Sequence, residues 1–245
     1  PICNPMPPIL TSGFSSGCRK ILKEVGNQIE MDQYEERGPY KMGPWTSWMY
    51  RSDPKHLVFT LSRYKFVAKL LQGKKTVLEL GGGDTFAAPI ILQEVDELDV
   101  VDFEPIVIDA VEEYHDKETL DKSNFIVADF TQEIKYSKKY DAVISLDAIE
   151  HIELSMEHVY LNNIVNALDQ KGICIIGTPN KTASEYANPQ AAITHINLKD
   201  AADMKAIGDK YFENSFLFSM NDEVVHTGFS PMAHYLFLLG VGLKQ

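Results

Sequence analysis

Cysteine is nearly missing from this 245-residue chain: Cys3, Cys18 and Cys174 stand far apart, with no C-x-x-C pair among them. That spacing excludes a thiolate zinc site and a disulfide framework, and leaves reduced thiols as the expectation. Long apolar runs are missing too. Nothing approaches the ~18 consecutive apolar residues of a membrane span, and the first residues hold no apolar stretch of the secretory kind. A cytoplasmic protein without membrane insertion is therefore expected. Positive charge is short: 23 Lys and Arg against 35 Asp and Glu leave a net charge of −12, with no dense basic patch. Such a surface repels phosphate backbones, so no nucleic-acid partner is expected. What remains is a globular chain, monomer or homodimer, suited to small-molecule chemistry.

No internal repeat or low-complexity tract is present, and the composition shifts near residue 53. Before it, "GPYKMGPWTSWMYRSDP" (38–54) is rich in Gly, Pro and aromatics and shows no helical or strand period, which reads as a structured loop. Residues 40–51, with Trp45, Trp48 and Tyr50, suit either a lid that excludes water from a site or an arm packed on an apolar face. From there Asp53 can cap a helix that has Pro54 in its first turn. Leu57, Leu61, Tyr64, Ala68 and Leu71 share one of its faces, and Gly73 ends it.

Short apolar runs follow at 76–80, 98–102, 125–128, 142–146 and 173–177, separated by helical patterns at 89–95, 105–114 and 156–168. Continuous apolar runs too short for helices, alternating with helices, predict a parallel sheet buried on both faces. The fold class expected is a doubly wound α/β sandwich. A helix over 198–208 and strands over 211–219 and 234–241, joined by a loop at 220–231, would add an antiparallel edge and bring the sheet to seven strands. Residues 1–52 then form an N-terminal helical or loop extension, and 53–245 the main domain.

The sharpest signal is "TVLELGGGDTFAAPI" (76–90). In open α/β sheets ligands bind beyond the carboxyl ends of the strands, and Gly81, Gly82 and Gly83 fall at the first such turn. Missing Cβ atoms let a backbone approach a ligand closely; a bare tight turn is the alternative. The dinucleotide pattern G-x-G-x-x-G would put its third glycine at Phe86, which disfavours a pyrophosphate, and no Lys-Ser/Thr pair follows to make a phosphate loop. A nucleoside without a diphosphate remains. Asp102 ends the next strand, nineteen residues after Gly83, where a carboxylate can accept both hydroxyl protons of a ribose. Asp129 and Phe130, in "VADFTQ", offer an acceptor for an adenine amino group beside a ring for its face; Asp129 could instead cap a helix.

In this order the pieces resemble the class I S-adenosylmethionine-dependent methyltransferases. "VLELGGGD" is similar to their glycine motif, "VVDFEP" to their ribose-binding strand end and "VADF" to their adenine site. "YDAVISLDAIEHI" is similar to their fourth strand and "GICIIGTPN" to their fifth, over residues 60–241 in all. Thr85 departs from a frequent glycine, and Gly82 stands where many members carry Cys or Ala. The resemblance implies a Rossmann-like fold with S-adenosylmethionine as cofactor and S-adenosylhomocysteine as product. It further implies that Glu79 anchors the glycine loop, that Gly81 and Gly83 meet the methionyl part, and that Asp102 takes the ribose. By the same resemblance Phe103 covers the adenine face, Asp129 and Phe130 its edge, Leu146 lends backbone near the amino group, and Arg63 reaches the methionyl carboxylate unless it is simply an exposed helix charge.

Methyl transfer from a sulfonium releases a neutral thioether, so alignment in a dry site supplies much of the catalysis and no metal is required. A base is needed only for a protonated acceptor such as a hydroxyl or ammonium. Candidates are His195 and His151, then His226, each set against a purely structural role. The stretch "RSDPKHLVFTLSRYKFVAKLL" (51–71) resembles bacterial enzymes of surface-polysaccharide gene clusters, which implies O-methylation of a sugar hydroxyl or of a sugar-linked phosphoryl group. Lys41, Arg51 and Lys181 would suit an anionic acceptor. The rivals are N-methylation of a small amine, a nicotinamide (NAD) oxidoreductase, which Phe86 opposes, and a nucleoside-binding module without catalysis.

Overall fold

A sheet whose strand order reverses beside its first strand organises the chain, and a computed structural model describes it over residues 23–244. The expectations for Cys3 and Cys18 lie outside the described residues; Cys174 is a buried free thiol, and burial pushes its pKa up. Contacts divide the chain after Tyr40. On the N-terminal side, α1 (Val25–Arg37) ends at Gly38, whose φ of 76° a side chain would resist.

The remainder, Lys41 onward, begins with α2 (Pro44–Ser52), where a loop was expected. The reason is positional. Gly43 is extended at the N-cap and Pro44 occupies the first turn, where its missing N–H costs nothing, so the two residues that read as breakers are a helix start. Next is α3 (Pro54–Leu70), with Asp53 accepting from the His56 N–H as its cap. Then come β1 (Thr76–Leu80), α4 (Ala88–Ile91), β2 (Glu97–Asp102), α5 (Pro105–Ile108), α6 (Val111–Tyr114), α7 (Lys117–Asp121), β3 (Ser123–Val127), β4 (Tyr140–Leu146), α8 (Glu157–Ala167) and β5 (Leu168–Pro179). The predicted helix at 105–114 is two separate turns. Finally α9 (Pro189–Thr194), α10 (Ala201–Tyr211), β6 (Phe212–Asn221), β7 (Val224–His226) and β8 (Tyr235–Leu243) complete the order.

Among the described residues eight strands form one sheet, in the order β3-β2-β1-β4-β5-β8-β6-β7. The first five are parallel; β8 pairs antiparallel with both β5 and β6, and β7 pairs antiparallel with β6. The doubly wound sandwich with an antiparallel edge is thus present, with the three-residue β7 as a strand beyond the expected seven.

Each sheet face carries its own core. Leu78, Leu80 and Val143 pack with Tyr160 and Ile164 of α8 and Met204 of α10; Val77, Val100 and Ile144 pack with Val67 and Leu71 at α3 and Ile91 of α4. Adjacent strand residues therefore alternate between two apolar layers, which is why β1, β2 and β4 read as mostly apolar runs without a regular polar alternation, broken by the buried Glu79, Asp99 and Ser145. Leu71, Ile91 and Ile164 are buried completely or nearly so, each contributing about 1.5–3 kcal/mol. No described helix is long and apolar enough to cross a membrane.

Candidate active site

The reversal lies between β1 and β4, and the loops leaving their carboxyl ends border a cavity of about 690 Å³. Gly81 and Gly83 have φ of 83° and 57°, so the chain turns in the left-handed region that glycine tolerates. Their N–H groups are already used: Gly81 donates to Val101 O at 2.8 Å and Gly83 to Asp102 Oδ2 at 2.9 Å. What the loop offers is close approach. At Gly82 a Cβ would fall 2.2 Å from Val100 Cγ1, which explains why Cys or Ala is not found there. Thr85 also has a positive φ, 56°, strained for a β-branched residue; its hydroxyl lies 2.6 Å from His115 Nε2, and that imidazole stacks on Phe125.

Asp102 is buried at the end of β2, and its other oxygen accepts from the Glu104 N–H at 3.1 Å. Each oxygen has taken one hydrogen bond and can accept another. Phe103 is exposed on the cavity wall, edge-on to buried Phe130, while Leu146 closes the wall at the end of β4. Asp129 borders the cavity with Oδ1 accepting from the Thr131 N–H and hydroxyl, so it caps its own turn through one oxygen. Glu79 lies behind the loop and does not line the cavity. Its Oε1 accepts from the Tyr64 hydroxyl at 2.7 Å, and burial pushes its pKa up to about 7, aided by the Asp102 charge and opposed by that hydrogen bond.

One side of the cavity is walled by α2, through Trp45, Thr46 and Met49. Thr46 fastens it: its N–H and hydroxyl donate to the two oxygens of Asp84, at 2.7 and 2.8 Å. Trp48 and Tyr50, grouped with Trp45 in the expected lid, are instead 57% and 53% exposed. Neither Arg51 nor Lys181 borders the cavity, and Lys41 borders a different one.

The opposite end is assembled from side chains. Asp147, with a positive φ of 54°, accepts from Arg63 Nη1 with both oxygens, at 3.0 and 2.8 Å. Arg63 itself stacks over the Tyr235 ring, 4.0 Å from its centroid, and does not line the cavity. It is neither the exposed charge nor the cavity-facing one considered from the sequence. His151 borders the cavity, and its ring lies 5.0 Å from that of His195, nearly perpendicular. The backbone bond from Asn197 N to Glu150 O holds the two segments together. Burial lowers the His195 pKa, as does charge on His151, with Asp147 opposing. His226 takes no part: its Nδ1 accepts from the Gly228 N–H and its Nε2 donates to Asn221 Oδ1, both ring nitrogens being used near β7.

Glu150, His151 and His195 each offer a ligand-type atom within 4.8 Å of the others. Glu150, near the end of the "YDAVISLDAIEHI" motif, sits in a 3-10 turn (Ile149–His151), wholly buried. Its proximity to His195 depends on tertiary contact and carries no sequence pattern.

Residues 50–211 match the family described as a methyltransferase domain. The chain belongs to that family. As a methyltransferase domain it belongs with S-adenosylmethionine-dependent enzymes, which bears out the resemblance drawn from the glycine and acidic motifs. It is similar to the ubiquinone biosynthesis O-methyltransferase of Rickettsia prowazekii (strain Madrid E), at 32% identity over 126 residues, covering 51% of this chain and 46% of that relative. The corresponding protein of Rickettsia felis (strain ATCC VR-1525 / URRWXCal2) is 28% identical over 148 residues, 56% of this chain and 54% of its own. The matched stretch thus spans about half the length of these curated relatives. In fold the chain is similar to the methyltransferase domain of bacterial CtHen1-C, with a TM-score of 0.63 at 14% identity, over 75% of this chain and 99% of that one. It is similar also to the N-methyltransferase NodS from Bradyrhizobium japonicum WM9 in complex with S-adenosyl-L-homocysteine, with a TM-score of 0.55 at 13% identity, over 86% and 97%.

Proposed function

We propose that this methyltransferase domain transfers a methyl group from S-adenosylmethionine to a hydroxyl oxygen of a small molecule. The observation that carries the reading is one cavity bordered at one end by Gly81–Gly83 and Asp102 and at the other by Asp147 and His151. The cofactor fits the first end: the glycines remove the side chains that would fill it, and Asp102 retains one acceptor site on each oxygen for a pair of vicinal hydroxyls. Phe103 and Phe130 would bound the adenine, with Asp129 Oδ2 at its edge; Leu146 would border the methionyl portion, and Glu79 would hold the loop from behind. When bound, S-adenosylmethionine supplies an electrophilic methyl group on a sulfonium.

The second end receives the acceptor. A hydroxyl is protonated at neutral pH, and His151 on the cavity wall, its Nδ1 held against Thr194 O and its ring beside that of His195, is placed to take the proton through Nε2. Oxygen as the methylated atom is supported by the similarity to the Rickettsia O-methyltransferases. A sugar hydroxyl, suggested by the sequence resemblance at 51–71, is the narrower form of the same proposal.

Calorimetric titration with S-adenosylhomocysteine, with NAD in parallel, tests it. Wild type should bind the former, and Asp102→Ala should weaken binding about 100-fold, the worth of two charge-assisted hydrogen bonds. No binding, or a preference for NAD, would sink the proposal.

A further inference from the structure

Thr85 stands at odds with its own backbone. Its φ of 56° lies in the left-handed region, which glycine adopts freely and a β-branched side chain resists. The methyltransferase glycine motif frequently has glycine at this position, whereas this chain holds the left-handed turn with a threonine that is 2% exposed. A strained residue of this kind persists only where its surroundings over-determine it.

His115, between α6 and α7, supplies those surroundings. Its Nε2 lies 2.6 Å from the Thr85 hydroxyl, both residues being buried, and its ring lies parallel to that of Phe125 with centroids 5.7 Å apart. Phe125 is itself fixed in β3, paired with Val100 of β2. Thr85 is thereby tied to the sheet. Burial lowers the His115 pKa, with the Asp116 and Asp84 charges opposing, so the bond joins two uncharged groups at neutral pH. Relaxing Thr85 to a negative φ would swing its side chain away, break that bond and leave the hydroxyl buried without it, a loss that opposes the relaxation.

What Thr85 holds is the donor end of the cavity. Its N–H donates to Gly82 O at 2.9 Å and closes the turn 82–85, from which the Gly83 N–H reaches Asp102 and the Asp84 carboxylate fastens Thr46 of α2. Gly82, Gly83, Asp84 and Asp102 border the cavity, while Thr85 and His115 do not. His115 can therefore act on a bound donor only through the turn. We propose that His115 is a positioning residue for the donor: its bond to the Thr85 hydroxyl and its seat on Phe125 hold the turn 82–85 in the form that admits S-adenosylmethionine. The inference rests on the donor site proposed above and adds to it a residue outside the cavity, thirty positions from Thr85 in sequence.

Calorimetry of the whole chain with S-adenosylhomocysteine tests the role. His115→Phe keeps a ring against Phe125 and loses the bond, while Thr85→Val keeps the branched shape and loses the same bond from the other side. Each should weaken binding about 10-fold or more. Thr85→Gly needs no support at this φ, so adding His115→Phe to it should change affinity by no more than about 3-fold. A histidine that only packs would cost the same with threonine or glycine at 85. Either single variant, folded by its melting curve yet binding within about 3-fold of wild type, would overturn the role, as would a His115→Phe loss that persists beside Thr85→Gly. Amide hydrogen exchange of the ligand-free chain reads the turn without the donor: residues 82–85 should exchange faster in Thr85→Val and His115→Phe than in wild type. Unchanged exchange would overturn the positioning, whereas a wild type that exchanges as expected but does not bind S-adenosylhomocysteine would count against the donor reading instead.

Discussion

At the glycine-loop end of the cavity the walls are backbone: Gly81 and Gly83 turn with positive φ, their N–H groups close local bonds, and Gly82 presses on Val100. At the histidine end the wall carries the side chains of Asp147 and His151, and behind them lie Arg63 of α3 and His195 at the end of α9. The first construction joins neighbouring turns; the second spans the chain and pairs Arg63 with Asp147. Shape at one end is therefore set by what glycine omits, and at the other by which partners remain matched.

Removing Arg63 strikes the paired end hardest. Arg63→Ala leaves Asp147 without its cation and Tyr235 without its stacked guanidinium, and should lower stability in urea by about 3–5 kcal/mol, with Arg63→Lys recovering only part. A loss below 1 kcal/mol would mean that this end does not depend on its pairs.

Glu79→Gln probes the charge hidden behind the glycine loop. The folded pKa of Glu79, about 7, stands above the ordinary 4.5. Its contribution to stability is therefore fully present below about pH 4.5 and is lost as pH rises through about 7. Relative to wild type the Gln variant should gain across that window, by up to roughly 3 kcal/mol at pH 8, and level off above it. Melting curves at pH 5 and pH 8 measure the gap; equal gaps would contradict the raised pKa.

Gly82→Ala tests whether missing atoms shape the loop. The added methyl should cost about 1–3 kcal/mol against Val100 Cγ1, and Val100→Ala in the same chain should return part of that loss. Strict additivity of the two changes would show that the contact is not the cause. Thr46→Val is the mildest change, deleting one hydroxyl bond to Asp84 and keeping the backbone one, for about 1 kcal/mol. Faster amide hydrogen exchange confined to α2 should reveal it, while uniform exchange would place the fastening elsewhere.

How much was legible follows the same division. The short, mostly apolar runs of β1, β2 and β4 announced a sheet covered on both faces, and the glycines and Asp102, close in sequence, announced the cradle. The α2 helix was hidden because Gly43 and Pro44 mark a helix start as well as a loop. Pairings at the histidine end join residues 84 apart for Arg63 and Asp147 and 43 apart for His151 and Thr194, which no local period encodes. His226 shows the converse, since its place in a loop between strands suggested a site while its partners are local.

The position of β8 bears on the order of folding. It is the last strand of the described chain, yet it lies inside the sheet between β5 and β6, and its Tyr235 ring carries Arg63. During synthesis the β6–β7 hairpin must wait with one edge open, and the parallel strands with another, until residues 235–243 leave the ribosome. Closure of the sheet and completion of the support behind Asp147 are then a single late event, made of contacts far apart in sequence and correspondingly slow.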